Sequence, residues 1–337
     1  SLARFFGSAV PAPTATRLEL LRPGPSDIVH AGEALTVEFA VSGRPVEEVR
    51  FELLAAAGGE AGPAVTYMLR RSGGGGQRRW FLRLAPHEVT RDIHFRCTAG
   101  DGVLTGVIAV QPVPVLSGME VHLEPPAYAG RPAQTVSGPD LEVLAGTRAT
   151  FRFWANVPVR EAVFVLSNDR QTRTRMTVDE REPRLFTLGT LLLESGQYHI
   201  EFSDRWGYPT TDPATHDLVV RPDAPPTITL MLPPQDVADP VDVRLHPLLA
   251  AAAEDDVGLA EVSLAFDRDG VVSRQTAGRP GDADPRRCRV EVPVGELPLE
   301  AGRQLRVWFE AQDRRVLPDG RVAPQTARSR EVTLILP

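Results

Sequence analysis

The chain contains no lysine; all 37 of its basic residues are arginine. That removes Schiff-base chemistry, the phosphate-loop lysine and any catalytic ammonium group. A genome rich in G and C accounts for the arginine bias. Cysteine is almost missing as well, with Cys97 and Cys288 the only two. They lie far apart in alternating apolar stretches, which predicts two buried thiols rather than a bridge. Their scarcity does not exclude an oxidising compartment, because a large β-sandwich needs no disulfide. No apolar run of about 18 residues occurs, so no segment reads as a membrane-spanning helix. No signal-peptide pattern is visible either. Positive charge is not clustered and the formal net charge is −7, which argues against a nucleic-acid partner.

What is abundant is punctuation, with 31 prolines and 28 glycines. Their even spread predicts many turns and short strands. A hydrophobic content of 42% is enough to build packed cores. "LTVEFAV" puts Leu35, Val37, Phe39 and Val41 on one face, and Val49, Phe51 and Leu53 alternate in the same way. The clusters "AAAGGEAG", "RSGGGGQ", "SNDRQTRT" and "GRPGDADP" read as hairpin loops. The run Gly73–Gly76 lacks the strand-to-helix context that phosphate binding needs.

The chain repeats itself. Asp101, Asp204 and Asp313 are 103 and 109 residues apart, and each ends an alternating apolar run. Stepping back by twos gives Ala99, Cys97, Phe95 and Ile93; then Phe202, Ile200 and Tyr198; then Ala311, Phe309, Val307 and Leu305. Period two places each set on one inward strand face. Glu48, Glu161 and Glu261 precede a second set of alternating runs. The alanine-rich "LHPLLAAAAEDDVGL" reads as a strand ending at Asp255–Asp256, because its counterparts are strands. The fold class expected is therefore all-β, a tandem of three immunoglobulin-like β-sandwich domains. The limits are set at 15–115, 116–222 and 223–337, with 1–14 an extended, partly disordered lead-in. The joints "VQPVPVLSG" and "VRPDAPPTITLMLPP" are proline-rich and predict a stiff rod.

Candidate chemistry is sparse. Asp255 and Asp256 could ligate calcium with other loop oxygens such as Asp236, Asp267 or Asp269. The competing reading is a turn, with Gly258 supplying a permissive φ. Asp101, Asp204 and Asp313 are calcium candidates too, although a position repeated in every unit more often holds a turn. The seven histidines form no metal-binding pair. His94 and His199 read as ordinary strand histidines. No serine sits in a nucleophile elbow. Catalytic residues, metal and cofactor are accordingly expected to be none, and the chain is not expected to be an enzyme. Trp206 and Tyr208 share the loop "RWGYPT", which could stack on a glycan or fold over the end of its own sandwich. Trp154 and Trp308 fall on the opposite strand face from the inward residues, as interface anchors would.

Three stretches carry a resemblance: "TRLELLRPGPSDIVHAGEALTVEFAVSGRPVEEVRFEL"; "VHLEPPAYAGRP" with "LAGTRATFRFWANVPVREAVF"; and "PPTITLMLPPQD" with "AAEDDVGLAEVSLAF". In that order they resemble the extracytoplasmic region of large, uncharacterised, planctomycete-type bacterial membrane proteins. The resemblance covers nearly the whole chain, and "PPAYAG" and "EDDVGLAEV" are its most specific pieces. It implies immunoglobulin-like domains excised from a membrane-anchored parent, on the periplasmic side, and assigns no functional residue. The function expected is a non-catalytic envelope spacer or scaffold that meets protein partners or copies of itself. The alternatives are a carbohydrate-binding module using "RWGYPT", or accessory domains of an enzyme whose catalytic part lies outside this sequence.

Overall fold

A computed structural model of the chain describes residues 15–54, 65–71 and 78–337. The lead-in 1–14, the loop "AAAGGEAG" and the glycine run of "RSGGGGQ" lie outside them. Among the described residues the only helical turns are 3₁₀ segments of three residues; everything else regular is strand.

The first set of strands is β1 (Thr16–Arg22), β2 (Val29–His30), β3 (Leu35–Gly43), β4 (Arg50–Leu54) and β5 (Val65–Met68), then β6 (Arg70–Arg71), β7 (Arg78–Leu84), β8 (Ile93–Ala99), β9 (Gly102–Ile108) and β10 (Val110–Gln111). They form sheets β1-β3-β7-β6 and β5-β4-β8-β9, with β2 paired to β10. The second set is β11 (Leu116–Glu124), β12 (Gln134–Val136), β13 (Leu141–Leu144), β14 (Thr147–Ala155) and β15 (Val159–Ser167), then β16 (Thr172–Arg175), β17 (Thr177–Val178), β18 (Leu185–Leu192), β19 (Gly196–Asp204) and β20 (His216–Arg221). Its sheets run β12-β11-β14-β18-β17 and β13-β20-β19-β15-β16.

The third set is β21 (Thr227–Leu232), β22 (Val241–Asp242), β23 (Leu248–Glu254), β24 (Leu259–Arg268) and β25 (Val271–Gly278), then β26 (Arg287–Pro293), β27 (Gln304–Asp313), β28 (Thr326–Arg328) and β29 (Val332–Ile335). Its sheets run β21-β23-β26 and β22-β29-β27-β24-β25. The alanine-rich segment is thus strand β23, as its counterparts in the other repeats predict. "GRPGDADP" is not a hairpin loop: β25 pairs β24 while β26 pairs β23, so this segment carries the chain from one sheet to the other.

One pattern recurs three times. The first strand joins one sheet, and a strand that soon follows pairs parallel with the last strand of that sandwich. The parallel pairs are β2 with β10, β13 with β20 and β22 with β29. This is an immunoglobulin-like sandwich arrangement, and it establishes the chain as a tandem of three.

The inward faces agree with the alternation. Ile93, Phe95, Cys97 and Ala99 are buried, as are Tyr198, Ile200 and Phe202, and Leu305, Val307, Phe309 and Ala311. The first core centres on Phe39, Phe51 and Phe95, with ring centroids 5.3–6.0 Å apart. The second centres on Phe151, Phe153, Phe164, Phe186 and Tyr198, and the third is mainly aliphatic around Leu249, Leu264 and Phe309. Cys97 and Cys288 are both buried free thiols.

Contacts group the chain into two compact units. The first holds Ser1–Ser117 with the segments Ala155–Glu161 and Phe202–Asp212; the second holds Gly118–Trp154, Ala162–Glu201 and Pro213–Pro337.

Candidate functional site: two buried carboxylate clusters

In each sandwich the repeated aspartate follows or ends the strand that carries the inward aromatic residues. In each it accepts backbone N–H groups. Asp101 sits in the two-residue turn between β8 and β9, exposed, and accepts from the amides of Ala15 and Thr16 at 2.8 and 3.0 Å. It therefore pins the start of β1 rather than its own turn. Those bonds, the Ala15 amide's first, hold its pKa below the usual carboxylate value. Asp313, 2% exposed at the end of β27, accepts from the amides of Arg315 (3.1 Å) and Gln325 (2.7 Å) through Oδ1.

Asp204 does more. It is fully buried at the end of β19, and its Oδ1 accepts from the amides of Trp206 and Tyr208 at 2.9 and 2.8 Å. Its Oδ2 lies 2.9 Å from Nε2 of His30, itself only 5% exposed. Burial alone would raise the Asp204 pKa, but the bonds from His30 and the two amides outweigh it and the pKa is lowered. Tyr208 stacks on the His30 ring at 3.9 Å, and Trp206 meets it edge-on at 6.4 Å. Arg205 lies over the outer part of the group, 4.0 Å from the Trp206 ring centroid. All these residues belong to the first unit. The loop "RWGYPT" leaves Trp206 and Tyr208 half-buried. Its rings close over a histidine from the strand beside β10.

The second cluster lies within the second unit. Asp223 follows β20 in the proline-rich joint, and Asp255 and Asp256 follow β23. Each of the three offers a carboxylate oxygen, all within 4.8 Å of one another. Asp255 closes a turn, its Oδ2 accepting from the amides of Val257 and Gly258. Gly258 does not adopt a positive φ; what it contributes is its N–H. Asp223 is 8% exposed, and neither of its oxygens makes a hydrogen bond of ordinary geometry, although the Tyr128 phenol faces its carboxylate and acts to lower its pKa. Burial, with the charges of Asp313, Asp255 and Asp256, pushes its pKa up to about 6. Burial also raises Asp255, against its two amide bonds, and Asp256 and Asp313 add to the rise. The Tyr128 phenol is pushed up by burial and then by the Asp223 charge.

The two sequence stretches most specific to the resemblance meet here. Ala129 and Tyr128 of "PPAYAG" pack with Leu144 and with Val257 of "EDDVGLAEV". Asp223 was missed because its segment reads as a linker. Its role arises only when the joint folds back beside the 255–258 turn. Asp267 and Asp269 are engaged elsewhere, with Arg306 and Arg303, and the cluster's third member is Asp223 rather than Asp236.

The remaining candidates stand apart from both clusters. Trp308 is buried at 5% exposure, donates to Glu310 at 2.8 Å and is covered by Arg328 at 3.5 Å, so it presents no open ring. Trp154 is half-buried at the end of β14, beside Gly118. His94 and His199 are half-buried strand residues, and His199 lies 3.3 Å from Glu201.

No family model matches the chain, and no curated protein matches it by sequence. Solved structures similar to it include an I-band fragment from titin, 14% identical over 97% of this chain and 100% of that one, with a TM-score of 0.38. A bacterial ice-binding adhesin is 13% identical over 96% and 98% of the two chains, with a TM-score of 0.34. The extending region of a large adhesion protein is 13% identical over 95% and 74%, with a TM-score of 0.28.

Proposed function

We propose that the chain is a non-catalytic spacer or scaffold region of a membrane-anchored bacterial envelope protein, lying on the extracytoplasmic side, with sandwiches at 15–115, 116–222 and 223–337. One observation carries the non-catalytic reading. The same aspartate recurs in all three sandwiches, and each time at least one of its carboxylate oxygens accepts backbone N–H groups. Groups committed in this way position chain segments. The most enzyme-like constellation, His30 with Asp204, is closed off by Tyr208 and Trp206, and a general base must reach the proton it removes.

The first joint is held in the same style. The Asn156 side chain donates to the Val113 carbonyl and accepts from the Val115 amide, both at 2.9 Å. The location rests on the family resemblance. Protein partners would meet exposed apolar side chains on outer strands, such as Val103 and Val107 of β9 and Val271 and Val272 of β25.

The test is an activity screen of the chain against esters, phosphoesters, peptides and glycosides. No turnover above a buffer blank is expected. A hydrolytic activity lost in His30→Ala or Asp204→Asn, with the fold intact, would overturn the reading.

A further inference from the structure

We propose that Asp223, Asp255 and Asp256 form a calcium-binding site in the second unit, with Asp313 completing its negative field. The inference goes beyond the spacer reading and does not rest on it.

Geometry comes first. Calcium binds oxygen at about 2.4 Å, so two ligands sharing one ion lie within about 4.8 Å of each other. Each of the three carboxylates offers an oxygen within that limit of the other two. Their sequence positions, 223 and 255–256, are far enough apart that the ion would tie the joint after β20 to the turn after β23.

Buried polar groups are ordinarily satisfied, and each exception calls for a cause. Among the described residues, seven buried side-chain polar atoms lack a partner, and four of them are carboxylate oxygens of Asp223, Asp255 and Asp313. Asp223, at 8% exposure inside the acidic group, makes no hydrogen bond of ordinary geometry through either oxygen, and the Tyr128 phenol is the donor facing it. A cation held between Asp223, Asp255 and Asp256 would supply a partner that the Asp223 and Asp255 carboxylates lack. Its absence would leave like charges facing each other in a poorly solvated space.

The donor set selects the ion. All ligands are carboxylate oxygens, which suit hard cations; zinc would call for histidine or cysteine. The three carboxylates sit on a joint and a turn rather than a rigid octahedral cage, which favours calcium over magnesium. Asp256 is exposed, so water can fill the remaining positions from that side. Arg131 donates to the Asp256 carbonyl at 3.3 Å.

The experiment is calorimetric titration of the chelator-stripped, dialysed chain with calcium chloride, paired with thermal melts. One saturable site per chain is expected, with Kd of about 10⁻⁵ to 10⁻³ M, and the melting temperature should rise by mass action. Magnesium at equal concentration should raise it less. Asp223→Asn should weaken calcium binding at least ten-fold, while the metal-free melting temperature stays level or rises because repulsion is relieved. Asp101→Asn, in the other unit, should bind as the parent does. Should Asp223→Asn fail to fold, Asp256→Asn, at the exposed member, applies the same test. The proposal fails if the parent shows no saturable binding by about 10 mM calcium, if neutralising a cluster aspartate leaves affinity unchanged, or if magnesium acts as strongly. Such a failure would not touch the spacer reading, which stands on the repeated aspartate.

Discussion

Replacing Asp204 with alanine should loosen the 202–212 segment far more than replacing it with asparagine. The aspartate receives two amide bonds at 2.9 and 2.8 Å and faces His30 at 2.9 Å. A hydrogen bond to a charged acceptor contributes about 1.5–3 kcal/mol. The two amides lie in a half-exposed loop, where water replaces part of what alanine removes. His30 cannot be rehydrated at 5% exposure. The expected cost of Asp204→Ala is therefore about 3–5 kcal/mol, as for breaking other buried pairs. Asparagine keeps a carbonyl oxygen for the two amides and turns an N–H₂ toward Nε2 of His30, which accepts it once the ring carries its proton on Nδ1, so its cost should be about 1 kcal/mol.

Hydrogen exchange of the peptide covering residues 202–212 reads this directly, because local opening sets the rate. The alanine variant should exchange about 10² to 10⁴ times faster than the parent, and the asparagine variant no more than about ten times faster. Acid adds a signature. The folded-state pKa of Asp204 is lowered, so its contribution is complete above the unfolded aspartate value of about 3.9 and disappears as pH falls through the lower folded value. Asp204→Asn should remove that acid-side loss. Equal exchange in the two variants, or parent-like exchange in Asp204→Ala, would refute the reasoning.

Other substitutions test the framework. Gly43 has φ +88°, and a Cβ there would sit 2.1 Å from the Ala15 carbonyl oxygen; Gly43→Ala should cost more than about 2 kcal/mol in urea unfolding, and a neutral result would refute the close approach. Phe151 is fully buried, with Phe164, Tyr198 and Phe153 at 5.1, 5.8 and 6.0 Å. Phe151→Ala should cost about 3–5 kcal/mol, read from the unfolding midpoint. Burial pushes the Cys97 thiol up to about 12 and raises Cys288. Neither should react with a thiol reagent at pH 8 in the folded chain, and both should react in denaturant. Rapid labelling of the native protein would contradict their burial.

The strand faces were open to sequence reasoning because period two is a local property. Phe95 and Cys97, or Val307 and Phe309, announce their orientation within a few residues. The repeated aspartate was legible for the same reason, since each follows an alternating run. Its partners were not. Asp204 meets a histidine 174 residues away, and nothing near "DIVHAG" marks His30 as buried. The same holds for Asp223, which sits among prolines that signal a joint and nothing more. Spacing alone also made Asp101 look equivalent to Asp204 and Asp313, yet its two-residue turn leaves it at the surface, where it holds another strand's first amides.

The parallel pairing of each sandwich's early strand with its last one has a mechanical consequence. Two strands that run the same way leave the chain entering at one end of the sandwich and departing at the other. Tension applied through the chain then drags them past each other lengthwise, so their bonds must fail together rather than one at a time. The rung count differs: the middle sandwich pairs four residues, Leu141–Leu144 against Leu218–Arg221, while the outer two pair only two. Forced unfolding is governed by the rate of crossing that barrier rather than by equilibrium stability. Under a steady pull, the middle sandwich should therefore be the last of the three to yield.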